Sequence, residues 1–365
     1  MGGVFGITGI GTALIAWALA IGGIAAVTRS WPRLARPGGV AIAERILAQL
    51  LVTVLLALAV GVTVNRAGLW FVSWRDLASV VTGPPAGDLT QHGAELPPPP
   101  TTPSRSWGAA DVEVVPSKEP SIDAHTGLRV YRVAGRASGY AGTVYAWVPP
   151  SGAVRSALQV FHGYPVSAQS AFANLGLGRH AAGVLRHTVV LIPDWSPGEL
   201  DSECVDGPAV KMETWLTTDV PAWAVATFGV RPQREAWATL GYSAGGWCAA
   251  MATMRHPRTY AAGISMGGYM RPEFASSYRP VDPVGGPYDL PLLARREAPD
   301  VALLVQYSEH DVHVAPSSRE LVAAARPPLS VTQWSSPDSG HRVGAWKPLI
   351  PRALAWLDHA VPDYA

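Results

Sequence analysis

The chain has 365 residues, 28 basic against 27 acidic side chains, a formal charge of +1 and 48% hydrophobic residues. A charge this close to zero, with no basic run and no nucleic-acid motif, argues against a polyanionic partner. The length is ample for one full hydrophobic core even after two long apolar spans are set aside.

In chain order, residues 4–27 carry no charged side chain and are long enough to cross a bilayer as a helix. Residues 46–64 form a second such span, interrupted only by Gln49, Thr53 and Thr63. A signal peptide is the rival reading of the first span, but it lacks a basic leading region. Arg29, Arg33, Arg36 and Arg45 lie between the spans with Glu44 as the single acid, and only Arg66 and Arg75 follow closely. The positive-inside rule puts the connector in the cytoplasm, so the N-terminus and everything after the second span are expected on the outer side. Trp70, Phe71 and Trp74 suit an interfacial aromatic belt, or a short helix along the surface.

Three regions follow: an anchor over 1–83, a Pro-rich linker over 84–110 and an extracytoplasmic domain over 111–365. Pro84, Pro85 and the run Pro97 to Pro100 make the linker extended and semi-rigid. Leading strands are expected over 111–115, 128–133 and 142–148. Apolar runs at 157–161, 188–193, 236–240, 261–266, 301–307 and 329–334 then alternate with helical stretches. Such alternation predicts a mostly parallel, doubly wound sheet with functional loops at its carboxyl edge. Residues 271–296, rich in Pro and Gly, are long for a connection and suggest a small cap.

The sharpest motif is Gly241-Tyr242-Ser243-Ala244-Gly245, between a short apolar strand and a helix that closes at His256-Pro257. Strand, tight turn with flanking glycines, then helix is the setting of a nucleophilic serine. Two further elements stand in the chain order that chemistry needs. The run ending at Tyr307 leads into Ser308-Glu309-His310-Asp311, and the run ending at Trp334 leads to Gly340-His341 before a helix over 343–357. A serine hydroxyl needs an imidazole to take its proton, and the imidazole needs an acid to fix its tautomer. Ser243 is the expected nucleophile, His341 the base and Asp311 the acid, with Glu309 as the alternative acid. Asp338 reads as a turn former, and His310 and His313 as loop histidines rather than ligands, since no metal-binding cluster accompanies them. The loop His162-Gly163-Tyr164-Pro165 follows another buried strand. The backbone N–H groups of Tyr164 and Ala244 are the expected oxyanion hole. His162 suits a buried, hydrogen-bonded role.

From about residue 111 onward the chain resembles the esterase-D-type branch of the α/β-hydrolases, which includes secreted mycolyltransferases and S-formylglutathione hydrolases. Besides the serine turn, the resemblance rests on residues 212–223 (METWLTTDVPAW), on His256-Pro257 and on Gly340-His341. It implies an α/β-hydrolase fold, which the two apolar spans place after two transmembrane helices. The chain departs from the mycolyltransferases in having Asp as the expected acid, and in a short interval from Ser243 to Asp311. The expectation is a membrane-anchored serine esterase acting on acyl esters or lipids of the cell envelope, without a cofactor, a metal or nucleic acid. Alternatives are an acyltransferase using an alcohol acceptor, and a non-catalytic envelope scaffold. Both cysteines, Cys204 and Cys248, fall in the region expected outside. They are read as a disulfide beside the site, with two buried thiols as the alternative.

Overall fold

The structure is a computed structural model of the chain, which describes residues 4–82, 90–92, 119–150, 152–196, 198, 200–275, 278–337, 339–361 and 364. The expected strand at 111–115 and most of the expected linker lie outside these residues. Two compact units are present. One comprises Met1–Asp88, Ser308–Asp311 and Pro337–Arg342; the other comprises Leu89–Tyr307, Val312–Ser336 and Val343–Ala365.

In the first unit, α1 (Ile10–Leu34) and α2 (Gly39–Gly68) are long and apolar enough to cross a membrane. α2 runs beyond its apolar stretch at both ends, whereas α1 starts later than the stretch 4–27 and ends beyond it. Arg29 and Arg33 therefore sit in the last turns of α1 and Arg45 in α2, and the connector is shorter than expected. A helix rises about 1.5 Å per residue, so either one is longer than a hydrocarbon core of ~30 Å. Small residues let the two helices approach: Ala20 and Ala59 are fully buried, and Gly23 faces Leu55. Trp17 donates its indole N–H to Thr63 Oγ1 (3.0 Å) across the pair. A third helix, α3 (Trp74–Thr82), follows.

The second unit is built on one sheet whose strand order is β1-β10-β9-β8-β7-β5-β6-β4-β3-β2. The strands are β1 (Thr90–His92), β2 (Ser121–Ile122), β3 (Arg129–Ala134), β4 (Ala141–Trp147), β5 (Ser156–Phe161), β6 (Thr188–Pro193), β7 (Trp237–Tyr242), β8 (Ala262–Met266), β9 (Ala302–Ser308) and β10 (Ser330–Ser336). β5, β6, β7, β8 and β9 pair in parallel, while β2, β3 and β4 form an antiparallel flank against β6. Inside the stretch read as linker, Thr90–His92 pairs antiparallel with β10. Strands β5 to β9 are buried at every position, which is why they read as continuous apolar runs rather than as alternation.

Helices cover both faces of this sheet: α4 (Ala168–Leu175), α5 (Leu177–Val184), α6 (Met212–Thr214), α7 (Val220–Phe228), α8 (Ala244–Arg255), α9 (Leu290–Arg296), α10 (Ala315–Ala324), α11 (Val343–Trp346) and α12 (Ile350–Ala360). One apolar layer gathers Trp215, Trp223, Trp247 and Met251, the other Phe172, Trp346, Leu354 and Leu357. A buried aromatic of this kind removes roughly 150–250 Å² from water. The helix expected over 343–357 is broken by a 3₁₀ turn at Lys347–Leu349, because Pro348 and Pro351 each restart a helix and cannot donate within one. A single wide π turn, Trp215–Asp219, joins α6 to α7. Among its described residues, the stretch 271–296 holds the helix α9, capped by the Asp289 carboxylate, which accepts from the Leu292 N–H (3.1 Å).

Two motifs that carry the family resemblance meet in space. Glu213 of α6 accepts hydrogen bonds from Arg255 and His256 at the end of α8, both at 2.8 Å. Burial alone would raise the Glu213 carboxyl, but the His256 hydrogen bond and the Arg255 charge outweigh it and hold the group at about 2.

Candidate active site

Ser243 links β7 to α8 with φ 56° and ψ −130°, a left-handed backbone that a residue bearing a Cβ rarely adopts. Such a conformation costs on the order of 1–3 kcal/mol and persists only where its surroundings over-determine it. The restraints are visible. The Ser243 N–H donates to the Met266 carbonyl (2.9 Å), and the Gly246 and Trp247 N–H groups donate to the Ser243 carbonyl (2.8 and 3.2 Å). A Cβ on Gly241 would overlap the Gly245 carbonyl, and one on Gly245 would overlap the carbonyls of Phe161 and His162. Both flanking positions therefore demand glycine for space. The serine sits at the amino end of α8, where unpaired N–H groups and the helix dipole favour negative charge.

The loop after β5 meets this turn. A Cβ on Gly163 would lie 2.9 Å from the Tyr242 ring and 3.3 Å from Ser243 Cβ, so the backbone of this loop abuts the serine. Tyr164 is half-buried and Ala244 is buried. His162 is fully buried, and its Nδ1 donates to the Gly163 carbonyl (2.9 Å). Its Nε2 lies 3.6 Å from the carboxylate of Asp194. The His162 ring holds the Asp194 carboxyl below its usual range against the opposing effect of burial. Trp195 stacks on His162 with ring centroids 5.1 Å apart, and donates its indole N–H to the His162 carbonyl (3.0 Å). Asp194 and Trp195 were not singled out in the sequence. Their signal was their position, directly after an apolar strand at the same edge of the sheet.

From Trp195 the supports continue into a disulfide. Ser202 donates its hydroxyl to the Trp195 carbonyl (2.7 Å) and accepts from the Cys204 N–H (3.2 Å). Cys204 is bonded to Cys248 on α8, closing a separation of 44 residues. Glu203 and Cys204 both have positive φ, 49° and 56°. The buried Glu203 carboxylate accepts from the Tyr269 hydroxyl and from the Glu273 N–H. Burial, reinforced by the charge of Asp201, pushes the Glu203 carboxyl up to about 8.

The other expected residues lie in the unit that contains α1, α2 and α3. Asp311, shortly after β9, accepts from His341 Nδ1 at 2.7 Å. Asp311 is buried and His341 partly open. Glu309, the alternative acid, points outward as an exposed side chain. His310 Nδ1 donates to the Pro337 carbonyl and so ties the acid loop to the histidine loop. His313 is exposed, and Asp338 lies outside the described residues. The structure thus brings Asp311 to His341, Gly163 to Ser243, and Cys204 to Cys248.

No family model matches the chain. An uncharacterised protein of Corynebacterium glutamicum is 31% identical over 83 residues, which is 23% of this chain. The chain therefore spans 20% of the length of that curated relative. Among solved structures, an S-formylglutathione hydrolase from Agrobacterium tumefaciens superposes with a TM-score of 0.56 at 15% identity, over 68% of this chain and 99% of that one. The fluorophosphonate-binding serine hydrolase F of Staphylococcus aureus gives 0.51 at 14% identity, over 67% and 99%. A ferulic acid esterase gives 0.50 at 17% identity, over 63% and 96%. At these identities the likeness is one of fold, and it agrees with the strand order and the strained serine turn: the chain carries an α/β-hydrolase fold preceded by two apolar helices long enough to cross a membrane.

Proposed function

We propose that this protein is a membrane-anchored serine esterase whose triad is Ser243, His341 and Asp311. The observation that carries this reading is the strained turn at Ser243, held between β7 and the amino end of α8 with glycines at every crowded position. Strained backbone of this kind clusters at active sites. The Asp311–His341 bond supplies the second half of the chemistry. A carboxylate only accepts, so His341 carries its proton on Nδ1 and leaves Nε2 as the base.

The reaction follows from those roles. Ser243 Oγ attacks the ester carbonyl as His341 Nε2 takes its proton, and a tetrahedral oxyanion forms. The Tyr164 and Ala244 backbone N–H groups receive that charge. The C–O bond to the alcohol breaks as His341 returns the proton to the leaving oxygen. Water, deprotonated by His341, then attacks the acyl-enzyme and releases the acid together with free Ser243.

The location belongs to the same proposal. The arginines cluster where α1 passes into α2, which favours that end in the cytoplasm and α3 with the hydrolase fold outside. A Cys204–Cys248 disulfide suits an oxidising exterior. Acyl esters or lipids of the envelope are then the substrates within reach.

The test is fluorophosphonate labelling and p-nitrophenyl ester hydrolysis by the full chain in detergent micelles, beside Ser243→Ala and His341→Ala. Both variants are expected to lose about 10⁴–10⁶-fold in kcat, with Ser243→Ala unlabelled. Adding an alcohol acceptor separates hydrolysis from acyl transfer by product. A folded wild-type protein that neither labels nor hydrolyses any ester sinks the enzyme reading and leaves a binding scaffold.

A further inference from the structure

The histidine loop is gripped by the segment that leaves the second membrane-length helix. Arg342, next to His341, extends its guanidinium to the Asp76 carboxylate of α3 through two parallel bonds, Nη1 to Oδ2 at 2.8 Å and Nη2 to Oδ1 at 2.6 Å. Asp76 is 1% exposed, so the pair is shielded from solvent on the acid side. The same Nη1 donates to the Trp70 carbonyl (2.8 Å), and the guanidinium lies 4.5 Å over the Phe71 ring. The His341 N–H donates to the Leu69 carbonyl (2.9 Å). Gly340 completes the grip, because a Cβ there would overlap the Trp70 carbonyl.

Residues 65–76 are themselves stiffened to present these acceptors. Asn65, in the last turn of α2, bonds the Phe71 backbone in both directions, Nδ2 to the carbonyl (2.9 Å) and Oδ1 from the N–H (2.8 Å). Leu69 takes the left-handed conformation, φ 51°, that turns the chain. Asp76 Oδ2 also accepts from the Val72 N–H (3.0 Å), and the Asp76 N–H is capped by Ser73 Oγ (3.0 Å). A planar fork on a carboxylate is the most direction-specific ion pair available to a protein. All these groups converge on one loop of three residues, Gly340, His341 and Arg342, whose middle member bonds Asp311.

We propose that Asp76 is a positioning residue: through Arg342 it fixes the backbone of the His341 loop, so that turnover depends on the segment joined to the membrane helix. The proposal rests on the reading of His341 as the base. Asp76 acts through Arg342 rather than on the reacting atoms. A displacement of about 1 Å at a catalytic group costs on the order of 10²-fold in rate. Loosening the grip should therefore lower kcat and leave KM nearly unchanged, since neither Asp76 nor Arg342 is among the groups proposed to meet the substrate.

The experiment is steady-state ester hydrolysis by the full chain in detergent micelles, comparing Asp76→Ala, Arg342→Ala and the double variant, with thermal melts to register folding. Each single change is expected to lower kcat about 10–100-fold with KM within about twofold. The double variant should be no worse than the poorer single one, because either change alone already releases the loop. Arg342→Lys, which keeps the charge but not the fork, should fall between Arg342→Ala and wild type. Where an alanine variant does not fold, the near-isosteric Asp76→Asn replaces it and is expected to lower kcat in the same sense. Single variants with wild-type kcat, losses that multiply in the double variant, or a change confined to KM would each overturn the proposal. His341→Ala separates the two failures. If it stays fully active, the triad reading falls and this proposal with it; if it is inactive while the Asp76 variants turn over normally, only the positioning role is lost.

Discussion

Around Ser243 the supports are covalent and apolar: a disulfide, stacked rings and glycines packed against carbonyls. Around His341 they are ionic and polar: the Asp76–Arg342 pair, the Asp311 bond and two backbone carbonyls. The contrast follows from what each group must do. A serine turn held in a left-handed backbone needs restraints that do not fluctuate, since relaxation would release its strain. A histidine needs an exact tautomer and ring direction, and only directional hydrogen bonds fix those. The serine side should consequently resist salt, whereas the histidine side should answer to any change in its few polar partners.

The largest test of that contrast is removal of the two groups proposed to react, where Ser243→Ala and His341→Ala should each abolish nearly all turnover. Next comes the grip on the histidine loop, with its expected 10–100-fold loss in kcat for Asp76→Ala and little change in melting temperature of the sheet unit. The serine side should break in the opposite manner. Opening the Cys204–Cys248 bond, by reduction or by Cys204→Ser with Cys248→Ser, releases a loop of 44 residues and should cost about 4 kcal/mol of stability by loop-closure entropy. Thermal denaturation would record this as a drop in midpoint, and esterase activity below that midpoint should persist. A midpoint that does not move would show that the stacked rings, not the disulfide, hold the turn.

The smallest effect sharpens the contrast with pH. The folded protein holds the Glu203 proton up to about pH 8, whereas the unfolded chain releases it near 4.5. That contribution to stability is fully present below pH 4.5 and is lost as the pH rises toward 8. Glu203→Gln, which keeps the shape and cannot ionise, should flatten the fall in melting temperature between pH 5 and 8. It should also make the variant more stable than wild type at pH 8.5. A wild-type melting temperature that is level across this range would mean that Glu203 is ionised in the folded state.

Much of the sheet was legible because its signals are local. Residues 157–161, 188–193 and 301–307 are continuous apolar runs, and each forms a strand within a residue or two of the expected ends. The Ser243 turn was legible for the same reason, since strand, glycines and helix follow one another within a dozen positions. Helix lengths at the N-terminus were not, because helix continues through Arg29 and Arg33, where apolarity has already ended. The break at Pro348 and Pro351 was readable in principle from the two prolines. The Asp76–Arg342 pair was not, since nothing in either residue's neighbours marks it. Glu203 likewise has no mark in its sequence neighbours, and only its burial beside Tyr269 and the Glu273 backbone makes it unusual.

Asp76 and Arg342 stand 266 residues apart in the sequence. At a synthesis rate of ~5–20 residues per second, α3 is made roughly 13–53 s before its arginine exists. Only the last part of that interval, after β8 ends at Met266, finds the serine turn with its neighbouring strands and its disulfide partner while the histidine loop has yet to be made. A ribosome-bound chain therefore carries the Ser243 turn before it has the His341 loop that Asp76 grips through Arg342.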